Sequence, residues 1–83
     1  MGERESRVDN TEKLVEIFTI VLDLDANTDV QSVRRVNHRK WDSLAHASII
    51  AAIESEFNLS LDIPDFERIT SFESASLLLE EKI

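Results

Sequence analysis

Ser43 stands between Asp42 and Leu44 in the stretch WDSLAHASII, with His46 one helical turn further on. A serine hydroxyl has little nucleophilicity at neutral pH, so catalysis by Ser43 would need a neighbouring base, a group that orients the base, and an oxyanion site. His46 is the base candidate in this stretch, yet two neighbours on one helix surface supply neither an enclosure nor an oxyanion hole. A solvated or partner-facing His46 is the preferred reading. For Ser43 the plain alternative is helix-start chemistry beside an Asp cap. An exposed serine at a helix N-terminus also lies near unpaired amides and the positive end of the helix dipole, where an attached phosphate is stabilised. The residues therefore favour a serine acted upon by another enzyme over a serine that catalyses.

His38, Asp42 and His46 are four apart, a spacing that aligns three metal ligands on one continuous helix. Asp42 reads as a helix cap, which puts His38 outside that helix, and no metal site is expected. Arg34, Arg35, Arg39 and Lys40 form a basic cluster. The formal net charge is −8 and aromatic interleaving is limited to Trp41, so nucleic acid is not the expected partner. The cluster is read as a loop that pairs with an acidic bundle or selects an unusual partner. Trp41 either packs over this loop or makes an exposed contact, packing being preferred. The chain has no cysteine, which removes disulfides, zinc thiolates and thiol nucleophiles and fits a reducing compartment.

The elements that must position these residues follow from composition and periodicity. Eighty-three residues with 42% apolar content allow one compact domain, and a single glycine, a single proline and no tyrosine favour helices over an all-β chain. No stretch approaches the roughly 20 apolar residues of a membrane span, and MGERESRVDN has no apolar signal segment, so a cytoplasmic protein is expected. Gly2 and Ser6 touch the myristoylation pattern without further support.

Residues 1–9 read as a flexible terminus and 10–83 as the domain. Leu14, Ile17, Phe18, Val21 and Leu24 recur at helical spacing and predict a first helix over about Thr11–Leu24. A long connection follows, which Val30, Val33 and Val36 are expected to strap to the core. With Asp42 as cap, Leu44, Ala47, Ile50, Ile53 and Phe57 predict a second helix to Phe57, and Asn58 is the expected stop. Pro64 begins a short helix to Arg68. Thr70 and Glu73 have capping-box spacing for a last helix over about Ser71–Lys82, with Phe72, Ala75, Leu79 and Ile83 on one face. The expected fold is an all-α four-helix bundle with three longer helices, one short helix and a long first loop. Its expected core is Leu14, Ile17, Phe18, Val21, Ile50, Ile53, Phe57, Ile69, Phe72 and Leu79.

WDSLAHASIIAAIESEFNLSL followed by DFERITSFESASLLLEE resembles the second half of an acyl carrier protein. The likeness reaches from about Thr11 to the C-terminus and is specific from Trp41 onward. In that family the serine of Asp-Ser-Leu receives 4′-phosphopantetheine from coenzyme A through a separate transferase, and the thiol of the arm carries acyl groups as thioesters. The resemblance implies attachment at Ser43, flanked by Asp42 and Leu44. Glu54, Glu56 and Phe57 resemble the family's close of helix two, and Ile69 and Thr70 its signal before the last helix. A discrete carrier, itself not an enzyme, is implied. Its partners would be a phosphopantetheinyl transferase, an acyl-loading ligase or acyltransferase, and downstream synthase or transferase enzymes. Part of an acyl chain is expected to enter between helix two and the short helix.

Fatty acid synthesis carriers usually have glycine shortly before the motif and acidic residues early in helix two. Here Arg39, Lys40 and Trp41, then Ala45, His46, Ala47 and Ser48, take those places. These departures favour polyketide, hybrid peptide or other specialised acyl biosynthesis over bulk fatty acid synthesis. Partner contacts are expected at Trp41 and His46 and on an acidic rim of Glu54, Glu56, Asp65 and Glu67, each of which could equally be a solvated helix face. The alternatives are a fatty acid carrier, an aminoacyl or peptidyl carrier, and an unmodified helical adaptor that uses its acidic faces for protein binding.

Overall fold

A computed structural model describes the backbone of residues 2–83 and the side chains from Asn10 onward. Four α-helices, α1 (Gly2–Leu22), α2 (Ser43–Phe57), α3 (Ile63–Arg68) and α4 (Phe72–Lys82), occur in that order, with no strand among the described residues. Two single-turn 3₁₀ segments, Val30–Ser32 and Arg35–Asn37, lie in the connection before α2. The all-α architecture with a long first loop matches the expectation. No helix among the described residues is long and apolar enough to cross a membrane.

Helix α1 begins well before the expected Thr11. The Glu and Arg residues of the lead-in are good helix formers with no proline among them, so the helix has no local reason to stop there. The reading of 1–9 as a flexible terminus falls on residues whose side chains lie outside the described set. At its other end α1 stops two residues short of Leu24, because Asp23 takes a left-handed conformation at φ 52°. Leu24 N–H then reaches back to Thr19 C=O at 3.0 Å and Asp23 N–H to Ile20 C=O at 3.3 Å, the paired bonds of a Schellman stop. Asn58 ends α2 in the same left-handed region, as its residue type suggested.

The core is centred on Phe18, which has no exposed surface. Its ring meets Trp41 and Phe72 edge-on, each with centroids 5.2 Å apart, so α1, the segment before α2, and α4 converge on one aromatic side chain. Most of the expected core is buried, but Val21 and Phe57 are only half-buried, while Leu22, Val33, Trp41, Ile49, Ala75 and Leu78 are buried in addition. The phase of α2 needs a larger correction. His46, Ile49, Ile50 and Ile53 face inward, while Leu44 is 77% exposed and Ala47 is also exposed. A polar residue holds an inward position there, so apolar spacing alone pointed to a neighbouring stripe. Ile83, expected on the buried face of α4, is exposed.

The long connection is strapped down, though by one valine more than by three. Val33 is buried and Val30 packs against the core, while Val36 is exposed. Backbone bonds complete the strap: Arg35 N–H donates to Thr70 C=O at 2.8 Å, and Phe72 N–H to Val33 C=O at 3.0 Å. These bonds flank an extended bridge between Arg34 and Ser71, and the capping box of α4 forms one residue later than its sequence spacing suggested, with Ser71 as the cap. Ser71 Oγ accepts Ser74 N–H and Ser74 Oγ accepts Ser71 N–H.

Helix α3 has its own capping box between Asp62 and Asp65 and two ionic ties to α4. Lys82 Nζ lies 2.9 Å from the buried Asp65 carboxylate, and Arg68 meets Glu81 through both guanidinium nitrogens at 2.9 and 2.8 Å. The Lys82 hydrogen bond holds Asp65 below its ordinary value of 3.8, and Arg68 holds Glu81 below 4.5. Both carboxylates therefore bind protons more readily in the unfolded chain. Their contribution is complete above these ordinary values and is lost as pH falls through the lower folded ones. Arg68 and Glu81 are about half exposed and solvent weakens their pairing, so Asp65 carries more of the effect. Replacing both acids, Asp65→Asn with Glu81→Gln, is expected to flatten the fall in denaturant midpoint between about pH 5 and about pH 3. Urea titrations across that range check this, and a variant that keeps the wild-type slope would contradict it.

Candidate functional site

Asp42 is the N-cap of α2. Its Oδ1 accepts Ala45 N–H at 2.9 Å and its carbonyl accepts His46 N–H at 2.8 Å. Ser43 is the first helical residue and is exposed, and no hydrogen bond engages its hydroxyl among the described residues. Asp42 thus satisfies the helix start, and the Ser43 hydroxyl is left facing solvent at the positive end of a 15-residue helix. Leu44 beside it is also exposed.

His46 does not lie on the surface where partner contact was expected, and Trp41 packs into the core, the preferred of its two readings, which removes it from the partner-contact residues. Each is only 2% exposed. Trp41 Nε1–H donates to His46 Nδ1 at 2.9 Å, and His46 Nε2 lies 2.8 Å from Phe66 C=O. The indole nitrogen can only donate and the carbonyl can only accept, so this arrangement requires the neutral imidazole with its proton on Nε2. The His46 ring stacks beside Trp41 with centroids 5.9 Å apart and meets Phe66 edge-on at 4.5 Å. With both nitrogens engaged away from the surface, His46 cannot serve Ser43 as a base. The same engagement removes it from any metal set with His38 and Asp42, and no group of three or more potential ligands is arranged for a metal among the described residues.

The acidic rim divides. Glu56 and Glu67 are exposed as expected. Glu54 is half-buried and accepts Leu61 N–H at 2.8 Å, so one of its oxygens braces the chain after α2. Asp65 is 7% exposed and is committed to Asp62 and Lys82, which removes it from an open docking rim. In the basic cluster, Lys40 Nζ reaches the Asp23 carbonyl at 3.1 Å and its carboxylate at 3.5 Å, while Arg35 Nε donates to Trp41 C=O at 3.3 Å. Two of the four cations thus brace the loop that leads to Ser43; Arg34 and Arg39 are exposed.

Between α2 and α3 lies a shallow apolar recess of about 460 Å³, lined by Ile50, Leu61, Asp62, Ile63, Pro64 and Phe66. Its Phe66 wall is the residue whose carbonyl and ring His46 holds. Sequence reasoning had no means to find this junction, because one partner of the bond is a backbone carbonyl. Comparison of the chain with protein-family models, curated proteins and solved structures found no match.

The Trp41–His46 bond is buried at both ends, so Trp41→Phe keeps most of the ring packing and leaves His46 Nδ1 without its donor. A loss of about 1–3 kcal/mol is expected, as for an unsatisfied buried polar group. Urea unfolding checks it, the midpoint falling while the slope stays constant.

Proposed function

We propose that this protein is a discrete acyl carrier that holds acyl intermediates as thioesters on a 4′-phosphopantetheine arm attached to Ser43. The observation that carries the reading is the exposed Ser43 hydroxyl, relieved of capping by Asp42, at the start of the second helix of an all-α chain with a long first loop. The Asp-Ser-Leu resemblance supplies the chemistry. Ser43 Oγ would form a bond to the β-phosphorus of coenzyme A, the pyrophosphate bond would break with 3′,5′-ADP leaving, and the hydroxyl proton would pass to a base of the transferase.

The residues present suit such an arm. Ser43 is exposed among the described residues, and the first-turn amides of α2 favour a phosphodiester there. When bound, the arm supplies the thiol that the cysteine-free chain lacks. Asp42 fixes the helix start and Leu44 offers an exposed apolar contact beside the serine.

The exposed face of α2 after Ser43 begins with Leu44, Ala47, Ser48 and Ala51, none of them charged. This favours partners that read an apolar face next to the arm, with Glu56 and Glu67 as the acidic contribution. Polyketide, hybrid peptide or another specialised acyl pathway in the cytoplasm is the setting we propose. A fatty acid carrier and an aminoacyl or peptidyl carrier use the same serine chemistry. The same uncharged face also suits a helical adaptor that is never modified, and for that protein Ser43 would be dispensable.

The test is incubation with coenzyme A, magnesium and a broad-specificity phosphopantetheinyl transferase, followed by intact-mass measurement. One phosphopantetheine is expected on the wild type and none on Ser43→Ala. An unmodified wild type, or a Ser43→Ala chain that still gains the mass, would overturn the assignment.

A further inference from the structure

We infer that the turn formed by residues 34–39 is a docking knuckle for a protein partner that presents an acidic patch to the turn and basic groups to the second half of the chain. The inference stands on this surface alone and does not depend on attachment at Ser43. Val36 is 84% exposed, more than any other large apolar side chain among the described residues. Arg34 and Arg39 flank it in sequence and are exposed, and neither guanidinium has a hydrogen-bond or ion-pair partner among the described residues. A lone exposed valine is ordinary on a protein surface. A valine set between two uncommitted guanidiniums has the composition of an apolar anchor with a charged rim.

The backbone of the knuckle is braced from several sides. Arg34 bridges to Ser71, and Arg35 N–H donates to Thr70 C=O at 2.8 Å. Inside the turn, Asn37 N–H reaches Arg34 C=O at 3.1 Å, His38 N–H reaches Arg35 C=O at 3.2 Å, and Trp41 N–H reaches His38 C=O at 3.1 Å. The other two cations of the cluster belong to the brace, Arg35 on the Trp41 carbonyl and Lys40 on Asp23. Much of the backbone freedom that a docking loop would lose on binding has thus been lost already in folding. Arg34, Val36 and Arg39 are the side chains this framework leaves for a partner.

The distribution of charge selects the kind of partner. Residues 30–40 contain four cations and no acid, whereas from Trp41 onward there are nine acids against two cations. Both of those cations are already paired, Arg68 with Glu81 and Lys82 with Asp65. Nucleic acid and an anionic bilayer are negative throughout; they attract the knuckle and repel the rest of a chain with net charge −8. A uniformly basic surface suits the second half and repels the knuckle. Screening over about 8 Å at physiological ionic strength makes each contact answer to the nearest patch rather than to the net charge. A protein surface carrying both signs satisfies both regions, and such complementarity fixes the orientation of docking more than its strength.

The experiment titrates the isotope-labelled full chain and follows its amide resonances. The probes are a short soluble glutamate-rich peptide with leucine at its centre, the same peptide with lysine for glutamate, a DNA duplex, and vesicles containing phosphatidylserine. The glutamate peptide is expected to shift the amides of residues 34–39 saturably, with a dissociation constant on the order of 1 mM that weakens as salt is added. Arg34→Glu with Arg39→Glu is expected to abolish these shifts, and Val36→Ser to weaken binding severalfold. The lysine peptide is expected to shift resonances of the acidic half instead, and neither DNA nor vesicles to engage the knuckle.

A glutamate peptide that leaves residues 34–39 unshifted overturns the inference, as do shifts that survive the double charge reversal or a Val36→Ser chain that binds like wild type. DNA or vesicles that engage the knuckle more tightly than the peptide overturn it too, and so does a lysine peptide that fails to find the acidic half. An unchanged Trp41 indole resonance verifies the fold of each variant, and Arg39→Glu alone decides the matter if the double variant does not fold. Loading at Ser43 is read by mass and docking by resonance shifts, so failure of one assignment is distinct from failure of the other.

Discussion

One imidazole has a single hydrogen-bonding arrangement open to it, and several parts of the molecule depend on that arrangement. His46 accepts from the Trp41 indole on one side and donates to the Phe66 carbonyl on the other. These two bonds join three segments: the end of the long loop, the first turns of α2, and the short helix α3. Dispersion and hydrophobic burial are tolerant of small displacements, whereas a buried donor and acceptor pair is not. The position of α3 relative to α2 is accordingly fixed more tightly than six helical residues with few apolar side chains could fix it.

The aromatic chain extends this constraint into the core. Trp41 is both the donor to His46 and one of the two rings that meet Phe18 edge-on, and Phe72 on α4 is the other. A displacement of His46 would therefore be felt as a shift of the ring against which α1 packs. Asp42, between Trp41 and Ser43, caps α2 at the same place, so the orientation of the exposed serine is set from two sides: by a capped helix start and by a buried anchor just before it.

Much of this was legible in the sequence, for identifiable reasons. Asp42 and Asn58 marked the ends of α2 because a carboxylate acceptor and a residue tolerant of positive φ are local properties. Ser43 was found because capping and exposure follow from its place after Asp42. The inward turn of His46 was not legible. Its two partners are an indole nitrogen several residues before it and a main-chain carbonyl on another helix, and hydropathy counts the ring as polar. Ser71 caps α4 in place of Thr70, and the backbone bridge that Ser71 forms with Arg34 is a nonlocal contact that no side chain announces. Asp65 looked like a surface acid because its charge is visible in the sequence while Lys82, which pairs with it, stands on a different helix. Side-chain type located the site, and tertiary pairing decided which of its neighbours face outward.

The backbone bridge between the long loop and the start of α4 has a consequence for the order in which the molecule can be made. The Arg35 N–H and the Val33 carbonyl find their main-chain partners at Thr70 and Phe72, far along the chain from the loop they hold. Closing so large a loop is slow compared with forming a helix, and it has to wait until both ends exist. During synthesis, α2 can coil as soon as it leaves the ribosome and the segment that leads into Ser43 can meet the end of α1 through Lys40 and Trp41, but the main-chain bonds to Thr70 and Phe72 have to wait until the first turn of α4 has followed. The exposed serine is thus presented in its finished setting only late in the life of the nascent chain, after the residues that support its loop have been added.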